Sequence, residues 1–204
     1  NADTLLLTAA ADGDNFTIVT NGATTGISAI NATADYNIGV TLSDSVSGVT
    51  VTLSGNGDSL SLTSGSSVTV SDVETVTTST GNETVHVATG SVTTFSADAG
   101  GAGDKVYLDG AAKVTLGTGL ELVTGSASGT DTIVGSSGSD NIVGNGGDDL
   151  FQFAGGRLTA ADTVTGGSGT DTVQITSCGA ATLSGVTNAD TLLLTASADN
   201  QGFT

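Results

Sequence analysis

The residues best placed to do chemistry lie between Ser126 and Gln174. Written in nines, this stretch reads SASGTDTIV, GSSGSDNIV and GNGGDDLFQ, then four further residues, then RLTAADTVT and GGSGTDTVQ. Each nonapeptide has an aspartate at its sixth place (Asp131, Asp140, Asp149, Asp162, Asp171) and an apolar residue at its eighth (Ile133, Ile142, Phe151, Val164, Val173). Successive aspartates are 9, 9, 13 and 9 residues apart. Aspartate is a hard-oxygen ligand for cations and also a turn former whose carboxylate accepts backbone N–H groups. Five acids in phase therefore point either to cation binding or to capped turns.

The run resembles the glycine-rich nonapeptide calcium-binding repeats of the RTX family, G-G-x-G-x-D-x-U-x, where U is a large apolar residue. Gly166 to Gln174 matches at every place, while Gly135 to Val143 and Gly144 to Gln152 lack the second glycine. Ser126 to Val134 keeps the fourth-place glycine and the aspartate, and Arg157 to Thr165 keeps no turn glycine. The resemblance covers about a quarter of the chain. It implies a parallel β-roll in which each nonapeptide is one turn and one short strand, two of them making a coil. It also implies Ca²⁺ held by the five aspartates and by the turn carbonyls of Gly135, Gly138, Gly144, Gly147, Gly166 and Gly167. Type I secretion, with folding on meeting calcium outside the cell, belongs to the same implication.

In such a coil Asp131 and Asp149 share one edge of neighbouring coils, about 4.8 Å apart. Two carboxylates at that distance repel by about 1 kcal/mol in water and about 3 kcal/mol at an effective dielectric near 20. A cation between them reverses the sign, and calcium–oxygen distances of about 2.3–2.6 Å span the gap. Asp140 to Asp162 and Asp149 to Asp171 are each 22 apart, so a bulge at Ala154-Gly155-Gly156-Arg157 restores the phase, and Arg157 there takes the place of an ion. Glycine at the turn places permits positive φ and leaves carbonyls free as ligands. Weaker candidates are Asp148, Asp104 in Gly100-Gly-Ala-Gly-Asp104, and Asp12 and Asp14 in Asp12-Gly-Asp14-Asn15.

These acids must be held by strands. Runs such as Gly48-Val-Thr-Val-Thr-Leu-Ser, Ser59-Leu-Ser-Leu-Thr, Ser67-Val-Thr-Val-Ser and Glu83-Thr-Val-His-Val alternate β-branched or aliphatic residues with small polar ones, broken by Gly, Ser, Asn or Asp. No stretch sustains a helical stripe, and Leu158 to Asp162 is at most a single turn. The chain has 31 Gly, no Pro, Met or Trp, and only 3% aromatic residues. A sandwich about 10 Å thick normally needs bulkier side chains, whereas a narrow solenoid is filled by Val, Leu, Ile, Ala and Thr. The fold expected is all-β, a calcium-stabilised parallel β-solenoid, the alternative being a sandwich segment followed by a β-roll. Residues 1–125 read as a Thr/Ser/Val-rich solenoid part, 126–174 as the calcium-binding β-roll, and 175–204 as strands opening the next tandem unit.

That last reading rests on a repeat: NADTLLLTAAADGDNFT at 1–17 returns as NADTLLLTASADNQGFT at 188–204, with 13 of 17 positions identical. Weaker echoes at Asp72-Val-Glu-Thr-Val, Gly119-Leu-Glu-Leu-Val and Asn188-Ala-Asp-Thr-Leu each set an acid just before an apolar alternation. The chain begins at Asn1 with no Met, as an internal piece or processed product would.

With 21 acidic and 3 basic side chains the formal charge is −18, which argues against nucleic-acid binding and attraction to anionic lipid. Enzyme chemistry has little support. The one histidine, His86, sits in a strand alternation, and three cations leave little to stabilise developing negative charge. The lone Cys178 excludes an internal disulfide and reads as a buried thiol. Three Asn-x-Thr sequons stand at Asn15, Asn31 and Asn82. The composition and repeat resemble bacterial surface-layer proteins and giant adhesins. The function expected is a secreted structural module at the cell surface, stacking head to tail on copies of itself or adjacent units. An ice- or polysaccharide-binding solenoid face is the alternative, with cell-surface polysaccharide as its partner.

Overall fold

A computed structural model describes the chain except residues 1–2, 9–12, 20–25, 33–36, 64, 80, 98–102, 120–121 and 196–204, and the side chains at 92, 96 and 97. The described residues form twenty strands and no helix. One sheet of ten holds β1 (Asp3–Leu7), β3 (Ile27–Ala32), β5 (Ser47–Leu53), β7 (Ser67–Ser71), β9 (Thr84–Val87), β11 (Lys105–Leu108), β13 (Leu122–Thr124), β15 (Asn141–Gly146), β17 (Thr163–Ser168) and β19 (Val186–Thr187). The other holds β2 (Asp14–Ile18), β4 (Ile38–Leu42), β6 (Ser59–Leu62), β8 (Thr75–Thr78), β10 (Val92–Ala97), β12 (Lys113–Thr115), β14 (Thr132–Val134), β16 (Leu150–Phe153), β18 (Thr172–Ile175) and β20 (Thr191–Leu194).

Every strand pairs in parallel with the strand two places away in sequence, so the chain crosses from sheet to sheet with each strand and winds as a β-solenoid. A hairpin-built sandwich would pair consecutive strands antiparallel, and that alternative is not realised. The strands of 1–125 and of 126–174 belong to the same two sheets. Coil length varies: Leu60 registers with Val76, sixteen residues on, Ile133 with Phe151, eighteen on, and Phe151 with Val173, twenty-two on.

The period-2 pattern sends alternate side chains into a narrow interior and the rest to the surface. Val68, Val85, Val106, Val123, Ile142 and Val164 form one buried column, each at most 2% exposed. The eighth-place residues Ile133, Phe151 and Val173 continue the facing column, and Phe153 and Ile175 are buried beside it. The segment 158–162 contains no helix: turns occupy 155–157 and 160–161, and Leu158 plugs the interior at 2% exposure. Cys178 is half-buried where a buried thiol was expected.

Candidate functional site

All five sixth-place aspartates stand at the residue immediately before a strand, at β14 to β18, and all are at most 2% exposed. They form two rows. Asp131, Asp149 and Asp171 line the corner entering the second sheet, and Asp140 and Asp162 the corner entering the first. Each row is bonded coil to coil. The Asp131 N–H donates to Asp149 Oδ1 at 2.9 Å, the Asp149 N–H to Asp171 Oδ1 at 3.0 Å, and the Asp140 N–H to Asp162 Oδ1 at 2.8 Å. The two separations of twenty-two residues are bridged like the one of eighteen, so the bulge at 154–157 restores the phase. Arg157 lies exposed there, and its charge is one of several smaller influences on Asp140.

Second oxygens bond within the same turn. Asp131 Oδ2 accepts the Ser126 N–H at 2.7 Å, Asp140 Oδ2 accepts the Ser136 N–H at 2.9 Å, and Asp162 Oδ2 accepts the Thr159 N–H at 2.6 Å. Asp131 Oδ1 also accepts the Ala112 N–H of the preceding coil, and Asp140 Oδ1 the Ser136 hydroxyl. These three carboxylates are satisfied by protein donors. Asp149 and Asp171 are not: Oδ2 of each is buried and meets no donor. Burial, and then the neighbouring charges of Asp131, Asp171 and Asp148, push Asp149 up to about 6 against a backbone N–H that pulls it down. Burial likewise raises Asp140 above the usual carboxylate range.

The donor set tests the fit to calcium. No three His, Cys, Asp or Glu side chains converge on one point among the described residues. An unsatisfied buried carboxylate oxygen nevertheless has the chemistry a hard cation takes, and Asp149 and Asp171 are the two nonapeptide aspartates that supply one. Carbonyls stand close by. A Cβ built on Gly144 would lie 2.4 Å from Gly166 O and 2.5 Å from Asp149 Oδ2, and one on Gly166 would lie 2.0 Å from Asn188 O and 2.5 Å from Asp171 Oδ2.

The turn glycines serve two purposes. Gly147 (φ +114) and Gly167 (φ +124) adopt the left-handed region, as expected of turn glycines. Gly135, Gly138, Gly144 and Gly166 do not; they are places where no side chain fits. A Cβ on Gly135 would meet the Phe153 ring at 2.1 Å and one on Gly138 would meet Thr118 O at 2.6 Å.

Of the weaker candidates, Asp148 is exposed and accepts the Thr170 N–H at 2.8 Å, and Asp14 opens β2. Asp12 lies outside the described residues. Asp104, 1% exposed, accepts the Glu83 N–H at 2.9 Å, in the role the sixth-place aspartates play.

That role extends well beyond the nonapeptides. Asp58 accepts the Ile38 N–H, Glu74 accepts the N–H groups of Gly57 and Asp58, Glu83 accepts that of Gly65, and Asp190 accepts that of Asp171. Each bond joins an acid at a strand entrance to the coil before it. Sequence reasoning did not assign these four, although the acid-before-alternation echoes at Glu74 and Asp190 are the signal for them. Glu83 is the most constrained. It is fully buried, its Oε2 meets no donor, and burial and then the Asp104 side chain raise it to about 7, against a lowering by the Gly65 N–H.

On the outer face of the first sheet His86 Nδ1 lies 2.8 Å from Asp109 Oδ1, and the imidazole stacks on Tyr107 with centroids 5.1 Å apart. The same outward column runs Thr50, Thr69, His86, Tyr107, Thr124, Val143, Thr165 and Thr187. Three other side chains interrupt its threonines, so this column is not a regular Thr array. No protein-family model matches this chain, and neither a curated protein nor a solved structure does.

Proposed function

We propose that the chain is a structural repeat module of a secreted, calcium-binding surface protein of RTX type, a segment of rod that lengthens by end-to-end stacking. One observation carries the reading. β20, whose sequence repeats β1, is laid in register on β18 as the next strand of the same solenoid. Leu192 and Leu194 register with the interior residues Val173 and Ile175, yet each is 47% exposed, because no described strand covers the far edge of β20. A further coil would bury them. Thus the last described coil presents an open strand edge with apolar residues on its inward face. The outer Thr column is too interrupted to favour ice binding over this structural role.

Calcium would be held at Asp149 and Asp171, whose unsatisfied oxygens would gain a counter-charge in place of mutual repulsion. Asp131, Asp140 and Asp162 would act as backbone caps with or without the ion.

Sedimentation of the purified chain at high concentration, with millimolar calcium or with EDTA, tests assembly. Growth of long species in calcium is expected, and a persistent monomer would exclude separate chains stacking as a filament. Thermal melting followed by circular dichroism tests the ion. EDTA should lower the midpoint, and Asp149→Asn with Asp171→Asn should abolish that difference while Asp131→Asn preserves it. An EDTA-insensitive midpoint in the wild type would sink the calcium assignment.

A further inference from the structure

The repeated opening sequence does not return to the sheet it started from. β1 is the first strand of one sheet, whereas its copy β20 is the last strand of the other. Among the described residues nineteen strands separate the start of one copy from the start of the next, an odd number, and the chain changes sheet with every one of them. The side-chain phase is nevertheless kept. Leu5 and Leu7 register with the interior residues Ile30 and Ala32, as Leu192 and Leu194 do with Val173 and Ile175. Leu6 and Leu193 both point outward, opposite Asn31 and Gln174.

The segment suits either sheet for two physical reasons. Both interior columns are lined by apolar residues, aliphatic in the first sheet and aliphatic with Phe95, Phe151 and Phe153 in the second, so a Thr-Leu-Leu-Leu strand can pack against either. Both corners also use the same cap, an acid at the strand entrance accepting an N–H from the coil before. Asp162 does this on the corner entering the first sheet, and Asp190 on the corner entering the second. Asp190 aligns with Asp3, so Asp3 has the matching group for a coil preceding it.

Given the tandem rod proposed above, we infer that consecutive 187-residue units are related by a half-turn about the rod axis, so that every outward patch appears on alternate sides. Nine and a half coils at about 4.8 Å each advance the rod by about 45 Å per unit. The His86–Tyr107–Asp109 cluster, on the outer face of the first sheet, faces one way in one unit and the opposite way in the next. Such a rod offers the same surface to partners on both flanks and can bridge two layers. With an even strand count all copies would face one partner.

The half-turn is tested first within one chain. In a Cys178→Ser background, Leu193→Cys with Gln174→Cys should form a disulfide under mild oxidation, and Leu6→Cys with Asn31→Cys should do the same, since both pairs are in register on adjacent strands. Leu193→Cys with Thr187→Cys should not, because Thr187 lies in the other sheet. Efficient cross-linking of this last pair in preference to the first would overturn the inference. These bonds form within a chain whether or not chains assemble. A monomer with the expected cross-links would therefore remove the filament and leave the strand parity standing. A two-unit chain, extended past 204 by its own residues 18–204 and carrying Thr69→Cys in each unit, then reports the geometry. Electron microscopy of a bulky label should show the two marks on opposite sides, about 45 Å apart along the axis. Marks on one side would refute the half-turn.

Discussion

Glu83→Gln is the sharpest perturbation of the buried acid rows. Glu83 Oε1 accepts the Gly65 N–H at 2.7 Å, while Oε2 is buried without a donor and the Asp104 side chain acts on the carboxyl. When Glu83 is protonated its O–H supplies that donor; when it ionises, two buried carboxylates confront each other. Burial, and then the Asp104 side chain, raise its pKa from 4.5 to about 7. A group held above its unfolded value contributes stability that is fully present below about 4.5 and is lost as pH rises through about 7. At about 1.4 kcal/mol per pH unit, the loss is of order 3 kcal/mol. Glutamine keeps an oxygen for Gly65 and offers Asp104 an N–H at every pH.

Urea unfolding in EDTA at pH 4.5, 6 and 8 reads the difference. At pH 4.5 the variant and wild type should be equally stable within about 1 kcal/mol, and at pH 8 the variant should be the more stable by about 2–3 kcal/mol. Hydrogen exchange at the Gly65 amide should slow in the variant at pH 8, locating the gain. A variant less stable than wild type at pH 8, or a difference that does not change with pH, would refute the argument that these two acids share a proton.

Other substitutions separate capping from packing. Asp131→Ala leaves the buried N–H groups of Ala112 and Ser126 without acceptors and should cost about 2–5 kcal/mol by urea denaturation, with or without calcium. Gly144→Ala drives a methyl against Gly166 O and Asp149 Oδ2 and should cost at least about 2 kcal/mol by the same measurement, although its backbone is not in the left-handed region. Gly135→Ala meets the Phe153 ring, so Phe153→Leu should recover part of the loss, a coupling visible in a double-mutant cycle. Phe153→Ala alone should cost about 3–5 kcal/mol in thermal or chemical unfolding, since the ring is fully buried.

Strand identity was legible because Val68, Val70, Val85 and Val87 alternate with polar residues in the chain as they do across the sheet. The nonapeptide phase was legible too: the 22-residue steps from Asp140 and Asp149 resolve into one coil plus a four-residue turn at 154–157. The destination of the carboxylates was harder to read, because it depends on which coil lies beneath. Coil length drifts from sixteen to twenty-two residues between β6 and β18, so no fixed period in sequence connects Glu74 to Asp58, or Asp104 to Glu83. The purpose of Gly144 was hidden for the same reason. Its constraint is the carbonyl of Gly166 in the next coil, and nothing local to Gly144 announces that atom.

The charge of −18 takes on a different meaning once the acids are placed. Asp58, Glu83, Asp104, Asp131, Asp140, Asp149, Asp162 and Asp171 are buried at the corners, where they cannot serve solubility. A corner is where a solenoid strands its backbone donors, since the chain there has left one ladder and not yet joined the next. A carboxylate suits the position because it is all acceptor: one oxygen can hold its own turn while the other reaches back to the preceding coil, as Asp131 does. Serine can replace only the reaching bond, and Ser66 and Ser91 do so to Val46 and Asp72 at longer distances of 3.2 and 3.4 Å. Corners therefore recruit carboxylates, glutamate on the sixteen-residue coil and aspartate on the twenty-two-residue ones, and the stacked acids accumulate charge along each row. Where donors fall short, as at Asp149 and Asp171, that charge must be met by a proton or a cation. The demand for a proton or a counter-ion is thus a by-product of how the corners are capped, and it recurs outside the nonapeptides at Asp58 and Glu83, each of which also buries an oxygen without a donor.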